Sequence, residues 1–174
     1  MEVILREAEI ARILDELAEA ICRDCKNGMA VALVGIRSRG EILAQRLQKL
    51  LEAKCFRQVE RGTLDITLYR DDLNRPGSPR HAVRATEIDF GIDDKLIVLV
   101  DDVLNTGRSV RGALDALFDL GRPKAIRLAV LIDRGQRELP ISGDYIGRKI
   151  SAPPEKRVSV YLRERDNREE VVIE

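Results

Sequence analysis

Apolar residues recur at Ile10, Ile13, Leu14, Leu17, Ala18, Ile21 and Cys25, a helical spacing that predicts an amphipathic helix over about 7–26, with Gly28 as its stop. The run Met29-Ala30-Val31-Ala32-Leu33-Val34-Gly35 shows no polar alternation and predicts a strand buried on both faces. Helical spacing returns over 40–53 through Ile42, Leu43, Leu47, Leu50 and Leu51. Residues 62–69 alternate with period two and predict a strand. Over 70–95 no period survives, and Asn74-Arg75-Pro76-Gly77-Ser78-Pro79 gathers turn formers and breakers. A stretch well beyond ~12–15 residues without a period reads as a functional lid or a disordered linker. A second doubly buried strand, Leu96-Ile97-Val98-Leu99-Val100, precedes a helix over 110–120 closed by Gly121, and a third strand covers 126–133. Residues 134–154 are irregular, and 158–162 with 171–173 read as a closing hairpin turned around Asp166-Asn167. Strand-helix alternation of this kind predicts an α/β fold: one domain over 1–174, a mostly parallel twisted sheet flanked by helices. Ligands in such sheets sit at the C-terminal strand ends.

Composition narrows the class without naming a chemistry. The 174 residues carry 30 basic and 30 acidic side chains, so no net charge draws the chain towards nucleic acid. No apolar run approaches the ~20 residues that span a bilayer, and Met1-Glu2-Val3-Ile4-Leu5-Arg6-Glu7 is too acidic and too briefly apolar for a signal peptide. Cys22, Cys25 and Cys55 agree with a reducing compartment, and the expected location is the cytoplasm. Cys22-x-x-Cys25 falls late in a helix, where a redox pair would open one, and the single His81 leaves too few ligands for zinc. These cysteines read as ordinary helix residues.

The chemistry concentrates at strand ends. The apolar run 96–100 terminates in Asp101-Asp102, then Val103-Leu104-Asn105-Thr106-Gly107-Arg108-Ser109 leads into a helix. Two carboxylates accept hydrogen bonds from vicinal hydroxyls, and a Thr-Gly-Arg-Ser turn at a helix start offers N–H groups and hydroxyls to phosphate. Such a segment suits a phosphorylated sugar. No Gly-x-x-x-x-Gly-Lys-[Ser/Thr] occurs, which excludes a P-loop. Strand 29–35 ends in Gly35-Ile36-Arg37-Ser38-Arg39-Gly40, where glycines, arginines and a hydroxyl suit a diphosphate. From the lid, Arg70, Arg75, Arg80, His81 and Arg84 are within reach of a diphosphate on closure. The 133–148 segment is the expected wall for an incoming base, with Arg134, Tyr145 and Ile146 as base contacts.

Residues 96–109 resemble the 5-phosphoribosyl-1-diphosphate (PRPP) signature of the type I phosphoribosyltransferases. Together with Gly35-Ile36-Arg37-Ser38-Arg39-Gly40, Leu64-Asp65-Ile66-Thr67-Leu68-Tyr69-Arg70-Asp71-Asp72, Asp133-Arg134-Gly135 and Arg137-Glu138-Leu139-Pro140-Ile141, the chain resembles the PyrR family of pyrimidine-operon attenuators and uracil phosphoribosyltransferases. The resemblance implies the type I fold with a small hood, built from about 134–156 and the closing strands to 174. It implies condensation of uracil with PRPP to UMP and diphosphate. Asp101 and Asp102 would hold the ribose hydroxyls, with Arg70 also catalytic. Leu104, Asn105, Thr106, Gly107, Arg108 and Ser109 would bind the 5′-phosphate, and Arg37, Ser38 and Arg39 the diphosphate. Mg²⁺ would be held mainly through PRPP, with no dedicated protein cage. The family also binds messenger RNA leader hairpins when loaded with uridine nucleotides, and assembles as dimers or tetramers. Candidate RNA contacts are Arg12, Arg23, Lys26, Arg137, Arg148 and Lys149, although Arg12 and Arg23 stand among Asp15, Glu16, Glu19 and Asp24. Three positions depart from the family pattern: Gln136, Asn105 and the run Ser151-Ala152-Pro153-Pro154-Glu155-Lys156. The alternatives are a purine phosphoribosyltransferase and an RNA-binding nucleotide sensor with vestigial catalysis.

Overall fold

The computed structural model describes residues 1–25, 28–55, 58–72, 76 and 82–174. Five strands form an all-parallel sheet: β2 (Val31–Ile36), β3 (Glu60–Leu64), β4 (Leu96–Leu104), β5 (Ala125–Asp133) and β6 (Tyr145–Lys149), in the order β3-β2-β4-β5-β6. Helices α1 (Glu7–Asp24) and α2 (Arg39–Cys55) cover one face, and α3 (Arg108–Leu120) the other. The alternation of β4 shows why its sequence reads as unbroken apolar. Val98 and Val100 join the core of α1 and α2, while Ile97 and Leu99 join the core of α3. No helix among the described residues is long and apolar enough to cross a membrane.

A second, three-stranded sheet stands over the C-terminal ends of the large one. It has the order β1-β8-β7, from β1 (Glu2–Arg6), β7 (Val158–Tyr161) and β8 (Glu170–Ile173), with the single-turn α4 (Arg163–Asp166) between β7 and β8. This hood is fastened to α2 by charge. Arg46 meets Glu164 through two hydrogen bonds of 2.8 and 2.6 Å and also pairs with Glu169.

Four sequence expectations change, and one segment with no predicted element gains one. The segment 2–6 is a strand, because its three apolar residues gain their role only by pairing with β8, and Leu5 is fully buried there. The strand expected over 62–69 stops at Leu64. Asp65 Oδ1 accepts from Thr67 N (3.0 Å) and Thr67 Oγ1 (2.6 Å), diverting the backbone into a 3₁₀ turn over Thr67–Tyr69. Residues 145–149 are a strand, hidden in the sequence by Gly147; a Cβ there would lie 2.3 Å from Ile13 Cγ2, so the glycine lets α1 pack on β6. The closing hairpin contains α4, ended by Asn167 at φ 54°. Finally, Cys22 and Cys55 form a disulfide joining the last turns of α1 and α2, with Cα atoms 6.0 Å apart. Helix packing brings these two cysteines together, which linear spacing does not reveal.

Part of the lid is also fixed. Thr63 and Glu87 exchange two backbone hydrogen bonds of 2.8 Å, extending the β3 edge, and Ile88, Phe90 and Ile92 pack on the α3 core. Arg75, Arg80, His81 and Lys26 lie outside the described residues, as does most of the 74–79 turn cluster.

Candidate active site

Two adjacent parallel strands, β2 and β4, end at the same edge, and each hands the chain directly to a helix. The N-termini of α2 and α3 therefore both face the C-terminal end of the sheet, where their unpaired N–H groups favour anions. Between them Asp101 and Asp102 project from β4. Period-two alternation sends the neighbouring side chains to opposite faces. Both line a central cleft of about 490 Å³. Asp101 also borders a pocket of about 140 Å³ at the start of α3, and Asp102 one of about 240 Å³ beneath the hood.

The acid pair is electrostatically loaded. Asp101 Oδ1 accepts from Asp102 N at 2.9 Å, and Asp102 Oδ1 accepts from Val103 N at 2.9 Å. Burial first, and the adjacent Asp102 second, hold the Asp101 carboxyl well above the usual carboxylate range. A diol donating hydroxyls relieves this desolvation by supplying the hydrogen bonds an ionised acid needs. Among the described residues no group of three or more His, Cys, Asp or Glu is placed to hold a metal. Two carboxylates facing an open cleft nonetheless fit Mg²⁺, which takes one or two protein carboxylates and completes its shell with substrate oxygens and waters.

A small pocket opens at the start of α3, where the sequence predicts a phosphate contact. It is lined by Asn105, Thr106, Gly107 and Ser109 among others. Gly107 caps the helix at φ 93°, a conformation that suits glycine. The Thr106 hydroxyl accepts from Arg108 N at 3.3 Å. Arg108 itself turns away, its guanidinium held by Glu138 (2.6 Å) and Asp71 (2.5 Å). Asn105 Oδ1 is buried and has no hydrogen-bond partner among the described residues.

The loop between β2 and α2 is shaped by close backbone contact. A Cβ on Gly40 would lie 2.4 Å from Val100 O, and one on Gly35 would lie 2.5 Å from Gly40 O, so both glycines let α2 start hard against the sheet. The Arg37–Ser38 peptide is cis, and Arg37 N donates to Leu64 O at 3.0 Å. Arg37, Ser38, Arg39 and Arg70 all reach the cleft, yet three of the four are engaged elsewhere. Arg37 pairs with Glu41 (3.1 Å) and Glu87 (3.2 Å) and donates to Ala85 O (3.0 Å). Arg39 pairs with Asp166 at 3.0 Å, and Arg70 meets both oxygens of Asp72 at 2.8 and 2.7 Å. Asp65 is pushed up by burial, but hydrogen bonds from Thr67 and from the Arg84 backbone outweigh this and leave it below its ordinary value.

The expected base contacts are corrected. Arg134 is buried and its guanidinium donates to the carbonyls of Pro153 (2.9 Å) and Lys156 (2.6 Å), tying down the approach to β7. Tyr145 sits in the core at the start of β6, its hydroxyl donating to Asp24, and it lines a cleft at the opposite end of the sheet. Ile146 packs with Gly143 and Val130 on the α3 core. None of the three lines the cleft around the acid pair. All three precede the hood strand that covers that cleft, so order along the chain misled.

Arg137 is also not a surface cation. Its guanidinium donates to Ile141 O (2.8 Å) and Asn105 O (2.8 Å) and pairs with Asp133 (2.7 Å), bracing the loop that leads into α3. Arg12 and Arg23 stand on α1 and Arg148 and Lys149 on β6, which meets α1 through Ile13 and Gly147; Arg12 lies 3.8 Å from Glu16, and Arg23 lines the cleft that Tyr145 borders at the opposite end of the sheet. The cleft further contains Thr67, Asp65, Arg157 and Arg165. Thr67 and Asp65 stand in a stretch that carried the family resemblance. Arg157 and Arg165 carry no sequence signal.

A family model described as phosphoribosyl transferase domain matches residues 2–164. The chain is 46% identical over 172 residues to a protein named bifunctional protein PyrR from Syntrophobacter fumaroxidans, covering 99% of this chain and 92% of that one. It is 51% identical over 170 residues to the protein of the same name from Pelotomaculum thermopropionicum, covering 98% and 93%. Among solved structures, a hypoxanthine phosphoribosyltransferase of Trypanosoma cruzi superposes with a TM-score of 0.76 at 19% identity, over 99% of this chain and 95% of that one. At that identity the likeness concerns the fold alone.

Proposed function

The chain belongs to the phosphoribosyltransferase family and, within it, to the PyrR proteins, and from that premise we propose that it joins uracil to PRPP, releasing diphosphate and UMP. The observation that carries this reading is the placement of Asp101 and Asp102 between two helix N-termini on neighbouring strands. The 5′-phosphate takes the α3 N-terminus with the Thr106 and Ser109 hydroxyls. The ribose hydroxyls donate to Asp101 and Asp102. The diphosphate lies over the Arg37–Arg39 loop, at the start of α2. The anomeric C–O bond breaks with its electron pair leaving on diphosphate, uracil N1 closes the new C–N bond, and the N1 proton departs. Positive charge grows on the sugar in that step, and the ionised acid pair below it stabilises that charge without forming a bond. Mg²⁺, when bound near Asp101 and Asp102 and the substrate oxygens, supplies charge neutralisation of the diphosphate.

Uracil enters beneath the hood, next to Asp102 and Val103. There β7 is an edge strand, so backbone N–H and C=O groups along Val158–Tyr161 are free of strand partners on one side and suit the edge of a pyrimidine. A panel of uracil, hypoxanthine, guanine and xanthine with Mg²⁺ and PRPP tests this: nucleotide forms with uracil alone. Formation of a purine nucleotide in its place would reject the assignment, because a site built on base-edge hydrogen bonds discriminates strongly.

The relatives are named bifunctional, and the resemblance to attenuator proteins supports RNA binding as the second role. We assign leader-RNA binding to Arg12, Arg23, Arg148 and Lys149. UMP-dependent binding of a leader hairpin that weakens steeply with salt supports this role. Equal affinity for the hairpin after all four residues are changed to Ala would remove it.

A further inference from the structure

The diphosphate of PRPP brings several negative charges to this site, and the arginines expected to meet them are largely committed. Arg37 is shared between Glu41 and Glu87, Arg39 is held by Asp166, and Arg70 is held by both oxygens of Asp72, which leaves Arg84 on the lid side of the cleft as the one expected arginine outside an ion pair among the described residues. The cleft also contains the acids Asp65, Asp101 and Asp102. The loop and the α2 N-terminus offer backbone N–H groups, but a polyanion needs uncommitted cations as well.

Two guanidiniums reach the cleft from the hood. Arg157 and Arg165 line it, and their side chains make no hydrogen bond or ion pair among the described residues. Both are exposed, so removing either leaves no buried partner unsatisfied. Their backbones are nevertheless fixed. Arg157 exchanges two hydrogen bonds with Glu174, of 2.7 and 2.9 Å, at the start of β7. Arg165 N donates to Leu162 O at 3.0 Å within α4, and its neighbour Asp166 pairs with Arg39. The Asp166–Arg39 pair therefore sets Arg165 beside the loop between β2 and α2. Arg157 stands at the join of the central cleft and the pocket beneath the hood, facing Asp102.

We propose that Arg157 and Arg165 form a hood clamp for the diphosphate group of PRPP, an inference that rests on the PRPP reading of the cleft. Exposed and backed by a rigid main chain, the two guanidiniums feel Glu174 and Asp166 only at longer range, so they offer planar forks to phosphoryl oxygens without first breaking an internal ion pair. Arg37 and Arg39 then act mainly by shaping the loop and docking the hood. The 5′-phosphate lies at the α3 N-terminus, in a pocket that neither hood arginine lines. The clamp thus recognises the leaving group and not the phosphate at the other end of the sugar.

Calorimetry on the full chain tests the assignment, with Mg²⁺·PRPP and with ribose 5-phosphate as separate probes. The variants are Arg157→Ala/Arg165→Ala and Arg157→Lys/Arg165→Lys. The clamp predicts that the alanine pair raises the Kd for Mg²⁺·PRPP on the order of tenfold or more, as loss of charge-assisted hydrogen bonds requires. Affinity for ribose 5-phosphate stays unchanged, and the lysine pair recovers part of the loss. Unchanged PRPP affinity in the alanine pair overturns the clamp while leaving the PRPP reading standing. So does an equal loss for both probes, which marks a general change in field or structure. A wild-type protein that binds ribose 5-phosphate and not PRPP overturns the clamp and the PRPP reading together.

Discussion

Arg39 and Asp166, separated by 127 positions in the chain, meet in an ion pair of 3.0 Å that joins the first turn of α2 to the hood. The same aspartate accepts from Leu162 N at 2.9 Å and so also orders the turn after β7. Burial pushes Asp166 up, but the Leu162 N–H and Arg39 outweigh it and hold the carboxyl below its ordinary value. A lowered carboxylate stabilises the fold above the unfolded pKa of ~3.9 and loses that contribution as pH falls through the folded value. Asp166→Asn is therefore expected to lower stability by about 1 kcal/mol at pH 7, and the difference from wild type should fade below about pH 4. Urea denaturation at the two pH values checks both the size and the window.

The acid pair gives the opposite sign. Burial and Asp102 raise Asp101, so folding favours its protonated form. That contribution is complete below the unfolded value of ~3.9 and is lost as pH rises through the folded one. Asp101→Asn keeps the shape and removes the charge. Without ligand it should melt above wild type at pH 8, with the gap closing at low pH, while UMP formation falls. A variant that melts below wild type at pH 8 contradicts the electrostatic account.

Glycine 40 is fixed by packing. Its substitution by Ala sets a methyl 2.4 Å from Val100 O, whereas a Cβ at Gly91 meets nothing within 4 Å. Gly40→Ala is expected to lose about 1–3 kcal/mol or more of stability together with turnover, and Gly91→Ala to stay within about 0.5 kcal/mol. Thermal melts and initial rates on the two variants separate the positions.

Arg134 holds the chain before β7 through the carbonyls of Pro153 and Lys156. Arg134→Met retains bulk and orphans those carbonyls, so a loss of about 2 kcal/mol is expected in chemical denaturation. Uracil selectivity should survive in the folded fraction. A change of base preference without loss of stability would restore the side chain to base recognition.

The three central strands, β2, β4 and β5, were legible because they are buried on both faces and read as apolar runs, and because Asp101-Asp102 interrupts one of them abruptly. Of the edge strands, polar in part, β3 was legible only over 62–64 and β6 not at all. The turn 105–109 and the helix start at Gly107 were legible because local backbone chemistry is written locally. What escaped depends on distant partners. Residues 2–6 become a strand only against β8, Tyr161 and Arg168 come together only once the hood folds, with the guanidinium 3.3 Å from the ring centre, and Arg157 and Arg165 reach the cleft only by that route. Tyr145 and Arg134 looked like base contacts because they follow a site strand, but one turns into the core and the other is spent on carbonyls.

The acid pair is the centre of the account, and its test is the rate of UMP formation from uracil and Mg²⁺·PRPP in wild type and in Asp101→Asn/Asp102→Asn. Wild type should turn over, and the double variant should lose on the order of 10²–10³ in kcat/KM while remaining folded, as removal of preorganised charge stabilisation implies. Equal rates in the two proteins would contradict the role given to these two carboxylates.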